Sequence, residues 1–341
     1  VFVDQVAQSQ IGAVFTTLVD IERLELLRGP QGTLYGQNAP GGAYNITTRA
    51  PNFDGYNGYV EGSYSRWDNT GEGRIDTRGA VNIPLIEDTL ALRLAGVYAD
   101  SDGYIEMENP AASDSASGGQ DVQAWRSRML WLVDESMDIN WTVNYQDIHQ
   151  YQEPFNYDGL VPGTGGTSAT PAIYNTFKSR RNFGDFRSEV TGDIKDSNVH
   201  LRWGDGTSQV DAFAFYQSYD SQSNDNREPY PGGLGVFQIG LDTDLTTFEL
   251  RYSDEGDNFS YLTGLYYLYS KAVSDTSVTL RGIDVVQDAK GTTEGYAAYV
   301  NGTLHLARQW DLSLGARYDY NKSTLDSNVN FLEYAGAIDD S

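Results

Sequence analysis

Three histidines, His149, His200 and His305, are the only imidazoles in 341 residues, and cysteine is absent. Disulfides, thiolate zinc sites and thiol nucleophiles are thereby removed together. The histidines fall on separate segments, which suits individually bonded side chains better than a metal cluster. Acidic oxygens come closest at Asp100-Ser101-Asp102-Gly103 with Glu106, a hint of calcium, but the last acid follows too soon for an EF-hand loop. The surrounding stretch 100–121 holds Asp100, Asp102, Glu106, Glu108, Asp114 and Asp121 without a single Lys or Arg, and reads as a solvated loop. No G-x-S-x-G, Walker loop, H-E-x-x-H or Rossmann glycine pattern occurs. What remains is chemistry of binding. Stretch 150–193 carries Tyr151, Phe155, Tyr157, Tyr174, Phe177, Arg180 and Arg181, and stretch 221–243 carries Arg227, Tyr230 and Phe237. Such rings can stack on planar or sugar-like ligands, and Arg can take an anionic one. The competing reading assigns the rings nearest strand ends to an interfacial aromatic girdle.

The elements that must position these residues are strands. In Trp310–Tyr320 every even residue is apolar or aromatic and every odd one polar, charged or Gly, so the two sets face opposite sides of a sheet. Ile139, Trp141, Val143 and Tyr145 alternate likewise with polar neighbours, as do Leu90, Leu92, Leu94 and Tyr98, and Tyr296, Ala298, Val300, Leu304 and Leu306. Stretch 122–134 is less clean, with Arg126 and Arg128 opposite Trp125 and Trp131. Eleven strands are expected, near 55–66, 74–84, 89–100, 122–134, 138–149, 194–203, 208–220, 244–253, 257–271, 292–306 and 309–321. Short connections (85–88, 135–137, 204–207, 254–256, 307–308) alternate with long ones (101–121, 150–193, 221–243, 272–291) and a medium one at 67–73. That layout, with strands of ~10–13 residues, fits a transmembrane β-barrel. A net charge of -25 disfavours nucleic acid, and the chain has no long apolar run for a helical membrane span. Eleven is odd, and a bare edge in lipid leaves backbone groups unsatisfied. The count therefore predicts further strands beyond Ser341, or is off by one.

Residues 1–52 do not alternate in this way. Asp20-Ile21-Glu22-Arg23-Leu24-Glu25-Leu26-Leu27-Arg28-Gly29-Pro30-Gln31-Gly32-Thr33-Leu34-Tyr35-Gly36-Gln37-Asn38-Ala39-Pro40-Gly41-Gly42-Ala43-Tyr44-Asn45-Ile46 reads as a strand ending at Gly29, a glycine-rich turn and a second strand near 43–49. This stretch resembles the C-terminal part of the plug domain of TonB-dependent outer-membrane receptors. Arg28, Gly29, Pro30, Gly32, Tyr35, Gly36, Asn38, Gly41, Gly42 and Asn45 carry the likeness. Val1-Phe2-Val3-Asp4 resembles an upstream plug strand, Ala80–Leu85 and Leu90–Ala95 the first barrel hairpins, and Glu249-Leu250-Arg251-Tyr252 a later barrel strand. Gln37 stands where many members have Arg, and Pro40 where Thr or Ala is usual.

The resemblance implies an all-β antiparallel barrel of about 22 strands in the full protein, about half of them present. A small α+β plug would sit in its lumen. Residues 1–52 would be the C-terminal part of the plug and 53–341 the N-terminal half of the barrel, so that the chain is an internal portion. It further implies a non-enzymatic transporter in the Gram-negative outer membrane, without a cofactor of its own. The ligand would be an iron chelate, with cobalamin, haem, nickel complexes or oligosaccharides as alternatives. TonB and its inner-membrane energising complex would be partners, and outer-membrane lipid and lipopolysaccharide the surroundings. A passive porin, or a soluble all-β binding protein, is the rival reading; residues 20–50 discriminate against the first and a membrane-width apolar belt against the second. Phe248, Leu250 and Tyr252 mark the outer face of 244–253, which turns Thr247, Glu249 and Arg251 inward. Since the family pairs plug arginines with wall carboxylates, Arg28 or Arg23 is expected to pair with Glu249 or a nearby inward acid as a releasable lock. The bland alternative leaves Arg28 on plug carbonyls.

Overall fold

The computed structural model describes residues 1–8, 19–29, 42–108, 116–152, 159–160, 174–175, 181–182, 187–226, 236–280, 283–307 and 310–333. Two sheets carry the architecture. The small one contains β1 (Phe2–Val3), β2 (Val6–Ala7), β3 (Ile21–Arg28) and β4 (Gly42–Thr48), in the order β2-β1-β4-β3. Asp4 and Gln5 join β1 to β2 with φ of 47° and 72°. Two positive φ values at the centre of a two-residue loop define the tight hairpin turn that matches strand twist.

The large sheet is built from β5 (Asn57–Arg66), β6 (Gly73–Ile86), β7 (Leu90–Met107), β8 (Ala116–Leu132) and β9 (Met137–Tyr151). After the short pieces β10 (Gly159–Leu160), β11 (Tyr174–Asn175) and β12 (Arg181–Asn182) it continues with β13 (Glu189–Gly204), β14 (Ser208–Asn226), β15 (Val236–Glu255), β16 (Phe259–Leu280), β17 (Ile283–Ala307) and β18 (Trp310–Glu333). The eleven long strands pair antiparallel with their chain neighbours from β5 to β18, and β12 lies parallel against β7. β10 and β11 pair with each other apart from it. All eleven expected strands are present, in the expected order.

The side chains sort by parity. Leu94, Trp141, Phe248, Leu265, Tyr296, Leu312 and Leu314 stand exposed on the outer face, Leu314 to 71%. Their opposite neighbours Ala91, Arg93, Ala95, Thr142, Thr247, Ala297 and Tyr299 are buried on the inner face. An apolar outside and a polar, filled inside invert the order of a water-soluble protein and suit a sheet embedded in lipid. Trp131, Trp203, Phe259 and Trp310 lie exposed beside the short turns, and Tyr98, Trp125, Tyr216, Tyr269 and Tyr320 further along, as two aromatic bands would.

The expected lengths need correction at the far end. Stretch 221–243 is not a loop: β14 runs to Asn226 and β15 begins at Val236, so that Phe237 is a strand residue. Most of 272–291 belongs to β16 and β17, and β18 extends to Glu333. In 101–121, Asp102 and Glu106 lie in β7 and Asp121 in β8. The cause is that both faces are polar there, as in Ser270-Lys271-Ala272-Val273-Ser274-Asp275, and apolar alternation falls silent although pairing continues. Cross-strand hydroxyl bonds such as Thr292–Thr324 at 2.6 Å and Thr293–Ser323 at 3.0 Å stitch these extensions instead. The expected helical part of the plug lies outside the described residues, and those described in residues 1–52 form strands, turns and irregular backbone.

Candidate functional site: the seat of the small sheet

The small sheet rests on the inner face of the large one. Asp20 leads into β3 with φ of 52°, a left-handed conformation that Asp tolerates better than most residues. Its carboxylate meets Arg93 of β7, whose Nε and Nη2 donate at 2.5 and 2.8 Å, and the Tyr59 hydroxyl of β5 donates from 3.4 Å. The two ionic side chains are sealed, 6% exposed for Arg93 and 2% for Asp20. A bidentate guanidinium–carboxylate pair satisfies both groups in a site without bulk water. Beside it, Arg126 of β8 donates to the Val19 carbonyl at 2.6 Å and to Asn144 at 2.6 Å. Arg128 donates to the Thr48 carbonyl at 3.0 Å and lies 3.6 Å from Asp4. Asp4 in turn accepts from the Thr48 amide and hydroxyl at 2.9 and 2.6 Å. Ala80, Ala95 and Ala124 pack on Val19, small residues that let the two backbones approach.

A second contact lies around the inner face, at β14–β16. Val6 packs with Phe213, Phe215 and Leu245. Gln217 donates to Gln8 at 2.8 Å, and Arg251 to Gln5 at 2.9 Å. Between β1–β2 and β15–β18 remains a cavity of about 340 Å³, lined by Gln5, Gln8, Thr247, Glu249, Arg251, Tyr266, Arg317 and Asp319 among others. The link from the small sheet to the large one is clamped by Asn82, fully buried, which holds the Asn52 amide and the Asn52 and Gly55 carbonyls.

The plug-to-wall ion pair exists with its signs exchanged. Glu249 faces inward as expected, but it is engaged by Arg251 at 2.7 Å and by the Tyr299 hydroxyl at 2.5 Å. Arg23 pairs with Glu25 on its own strand at 3.2 Å and is half exposed. Arg28 closes β3 opposite Gly42. The wall supplies the cation, Arg93, and the small sheet the anion, Asp20. A signal for this was present in the sequence: Arg93, Arg126 and Arg128 fall on inward positions of successive strands, where a charge needs a partner across the lumen. Of the glycine-rich stretch, Gly29 has φ of 85° and Gly42 φ of 139°. A Cβ on Gly42 would stand 2.3 Å from the Leu27 carbonyl oxygen, so the close strand approach requires glycine. Asn45 donates to Glu25 at 3.1 Å. Pro30, Gly32, Tyr35, Gly36, Gln37, Asn38, Pro40 and Gly41 lie outside the described residues.

Among the ligand candidates, Tyr151 ends β9, with the Arg187 guanidinium 3.4 Å from its ring centre and the His149 ring 4.5 Å away. Arg181 is held by Glu108 across the β12–β7 contact. Tyr174 belongs to β11. Phe155, Tyr157, Phe177, Arg180, Arg227 and Tyr230 lie outside the described residues. The histidines are apart and each meets its own carboxylate: His149 with Glu189, His200 with Asp211, His305 with Asp311. Among the described residues no group of three His, Asp or Glu converges as a metal site.

Residues 1–43 match the family described as TonB-dependent Receptor Plug Domain. The pesticin receptor of Yersinia enterocolitica is 25% identical over 337 residues, 97% of this chain and 46% of the relative. The ferric yersiniabactin uptake receptor FyuA of Yersinia pestis superposes with a TM-score of 0.79 at 21% identity, covering 97% of this chain and 49% of that one. The ferric citrate transporter FecA in its unliganded form gives 0.74 at 15% identity, over 97% and 49%. The chain thus spans about half the length of the relatives it matches. The plug match at residues 1–43, the strand order and the lumen seat of β1–β4 together identify the chain as one of the TonB-dependent outer-membrane receptors.

Proposed function

We propose that the protein imports a ferric siderophore across the outer membrane by energy-coupled movement of its plug. Residues 1–52 act as plug and 53–341 as barrel wall. The observation that carries this reading is the plug seated on the inner face through Asp20–Arg93, Arg126–Val19 and Arg128–Thr48. A passive porin has no use for an obstruction fixed by a sealed ion pair. Uptake of this kind makes and breaks no covalent bond in the ligand, so the protein works as a receptor and not as an enzyme. The named cargoes of FyuA and FecA, ferric yersiniabactin and ferric citrate, support an iron chelate. TonB with its inner-membrane complex supplies the pull, and lipid and lipopolysaccharide surround the apolar belt. At the outer rim, Tyr151 and Arg187 offer a ring and a cation to the ligand, with Arg180, Arg181, Arg227, Phe155, Tyr157, Tyr174 and Tyr230 as further contacts. The test is uptake of ⁵⁵Fe as citrate or yersiniabactin complex by cells with and without this receptor and with and without TonB. Receptor-dependent, TonB-dependent accumulation is expected. Accumulation of cobalamin, haem or an oligosaccharide in its place would reassign the cargo, and import that persists without TonB would reject energy coupling.

A further inference from the structure

The seat of the plug is lopsided. Against β7 and β8 the plug is held by three arginines, one of them in the sealed pair with Asp20, and by close packing of Val19 on alanines. Withdrawal there strands a buried guanidinium. Against β14–β18 the contacts are of another kind. Val6 touches Phe213, Phe215 and Leu245, and two amide side chains, Gln5 and Gln8, accept one bond each from the wall. The wall's charges on that side are already paired with one another, Arg251 with Glu249 at 2.7 Å and Arg317 with Asp319 at 3.0 Å. Withdrawing β1–β2 from it therefore leaves no ion without its partner, and the 340 Å³ cavity already separates the two surfaces.

We propose that this cavity is the transit site for the imported solute: the plug stays pinned at β7–β8 while β1–β2 yields, and the solute passes along β15–β18. The lining fits a polar, oxygen-rich solute such as a metal chelate. Tyr266, Thr293, Asn321 and Ser323 offer exchangeable hydrogen bonds, and the two internal ion pairs sum to zero charge, so a charged complex is neither repelled nor trapped. This rests on the import reading above.

The experiment uses the full-length receptor in living cells, with Thr293→Cys on the cavity side or Ala95→Cys on the pinned side as single thiols. Labelling by a membrane-impermeant maleimide is timed during exposure to ferric citrate or ferric yersiniabactin, with and without TonB. Labelling at position 293 is expected to quicken by an order of magnitude when TonB is present, and labelling at position 95 to stay unchanged. A parallel Thr293→Trp receptor, which fills the cavity, should bind the same complexes at the surface yet import ⁵⁵Fe at least about tenfold more slowly. Equal quickening at both positions means that the plug leaves as one body and overturns the proposal, as does import through Thr293→Trp at the unaltered rate. Labelling that ignores TonB at both positions, together with TonB-independent uptake, is the distinct signature of failure of energy coupling itself.

Discussion

Removal of the Asp20 carboxylate is expected to loosen the plug while leaving the barrel folded. The carboxylate accepts two guanidinium bonds at 2.5 and 2.8 Å and one phenolic bond at 3.4 Å, and no other ionic group competes for Arg93. Asp20→Ala leaves that guanidinium charged, buried and unpaired, which costs about 3–5 kcal/mol. Because the pair joins plug to wall, the penalty falls on seating of the plug and spares strand pairing in β5–β18. At about 1.4 kcal/mol per factor of ten, opening of the plug becomes roughly a hundred- to a few-thousand-fold more frequent. Hydrogen exchange of the Ile46 and Thr48 amides reads this directly, since Ile46 is fully buried and Thr48 is bonded through Asp4. Retained heat-modifiable migration on a gel reports the barrel. The double variant Asp20→Leu with Arg93→Met, apolar on both sides, should recover most of the loss. An exchange rate changed by less than about threefold, or a double variant worse than either single one, would refute the argument.

Three further outcomes follow from particular residues. Gly42→Ala forces a Cβ to within 2.3 Å of a backbone oxygen at φ of 139°, and should destabilise the β3–β4 hairpin by about 2 kcal/mol or more, seen as faster exchange confined to residues 21–48. Leu265→Arg, on the outer face of β16, should cost about 2–4 kcal/mol of folding into bilayers, whereas Thr247→Gln on the inner face should cost little; equal costs would contradict the assignment of faces. In the β13–β14 turn, Ser208 and Thr207 amides hold the Asp205 carboxyl below the usual carboxylate range. Its contribution is full above the ordinary carboxylate pKa and lost as pH falls through the lower folded value, so any stability difference between the wild type and Asp205→Ala should vanish in acid.

The membrane-spanning part of the fold was legible because lipid and lumen impose opposite polarities on alternate residues. Trp310–Tyr320 announced its facing outright, and Glu249 was correctly turned inward. The extensions of β14–β18 were not legible, since water on both sides removes the contrast that alternation needs. Charge partners across the lumen were harder still. The reading from Arg23, Arg28 and Glu249 foresaw an ion pair between plug and wall but not its members. Glu249 has nearer partners two residues away and on β17, and Asp20, at the entrance to β3, looked like an ordinary turn residue. Only the placement of Asp20 opposite Arg93, 73 positions away, reveals their bond.

The account stands on a plug occupying the concave face of a lipid-embedded sheet, and a spin-label scan of β7 from Leu90 to Asp100 tests that most directly. With the plug in place, labels at Leu92, Leu94 and Tyr98 should meet lipid-soluble oxygen, and labels at Ala91, Ala95 and Ala99 should be shielded from both oxygen and an aqueous relaxant. Deleting the plug should open the odd positions to the aqueous relaxant and leave the even ones unchanged. Odd positions already open to the aqueous relaxant in the intact receptor, or even positions that never meet lipid, would contradict it.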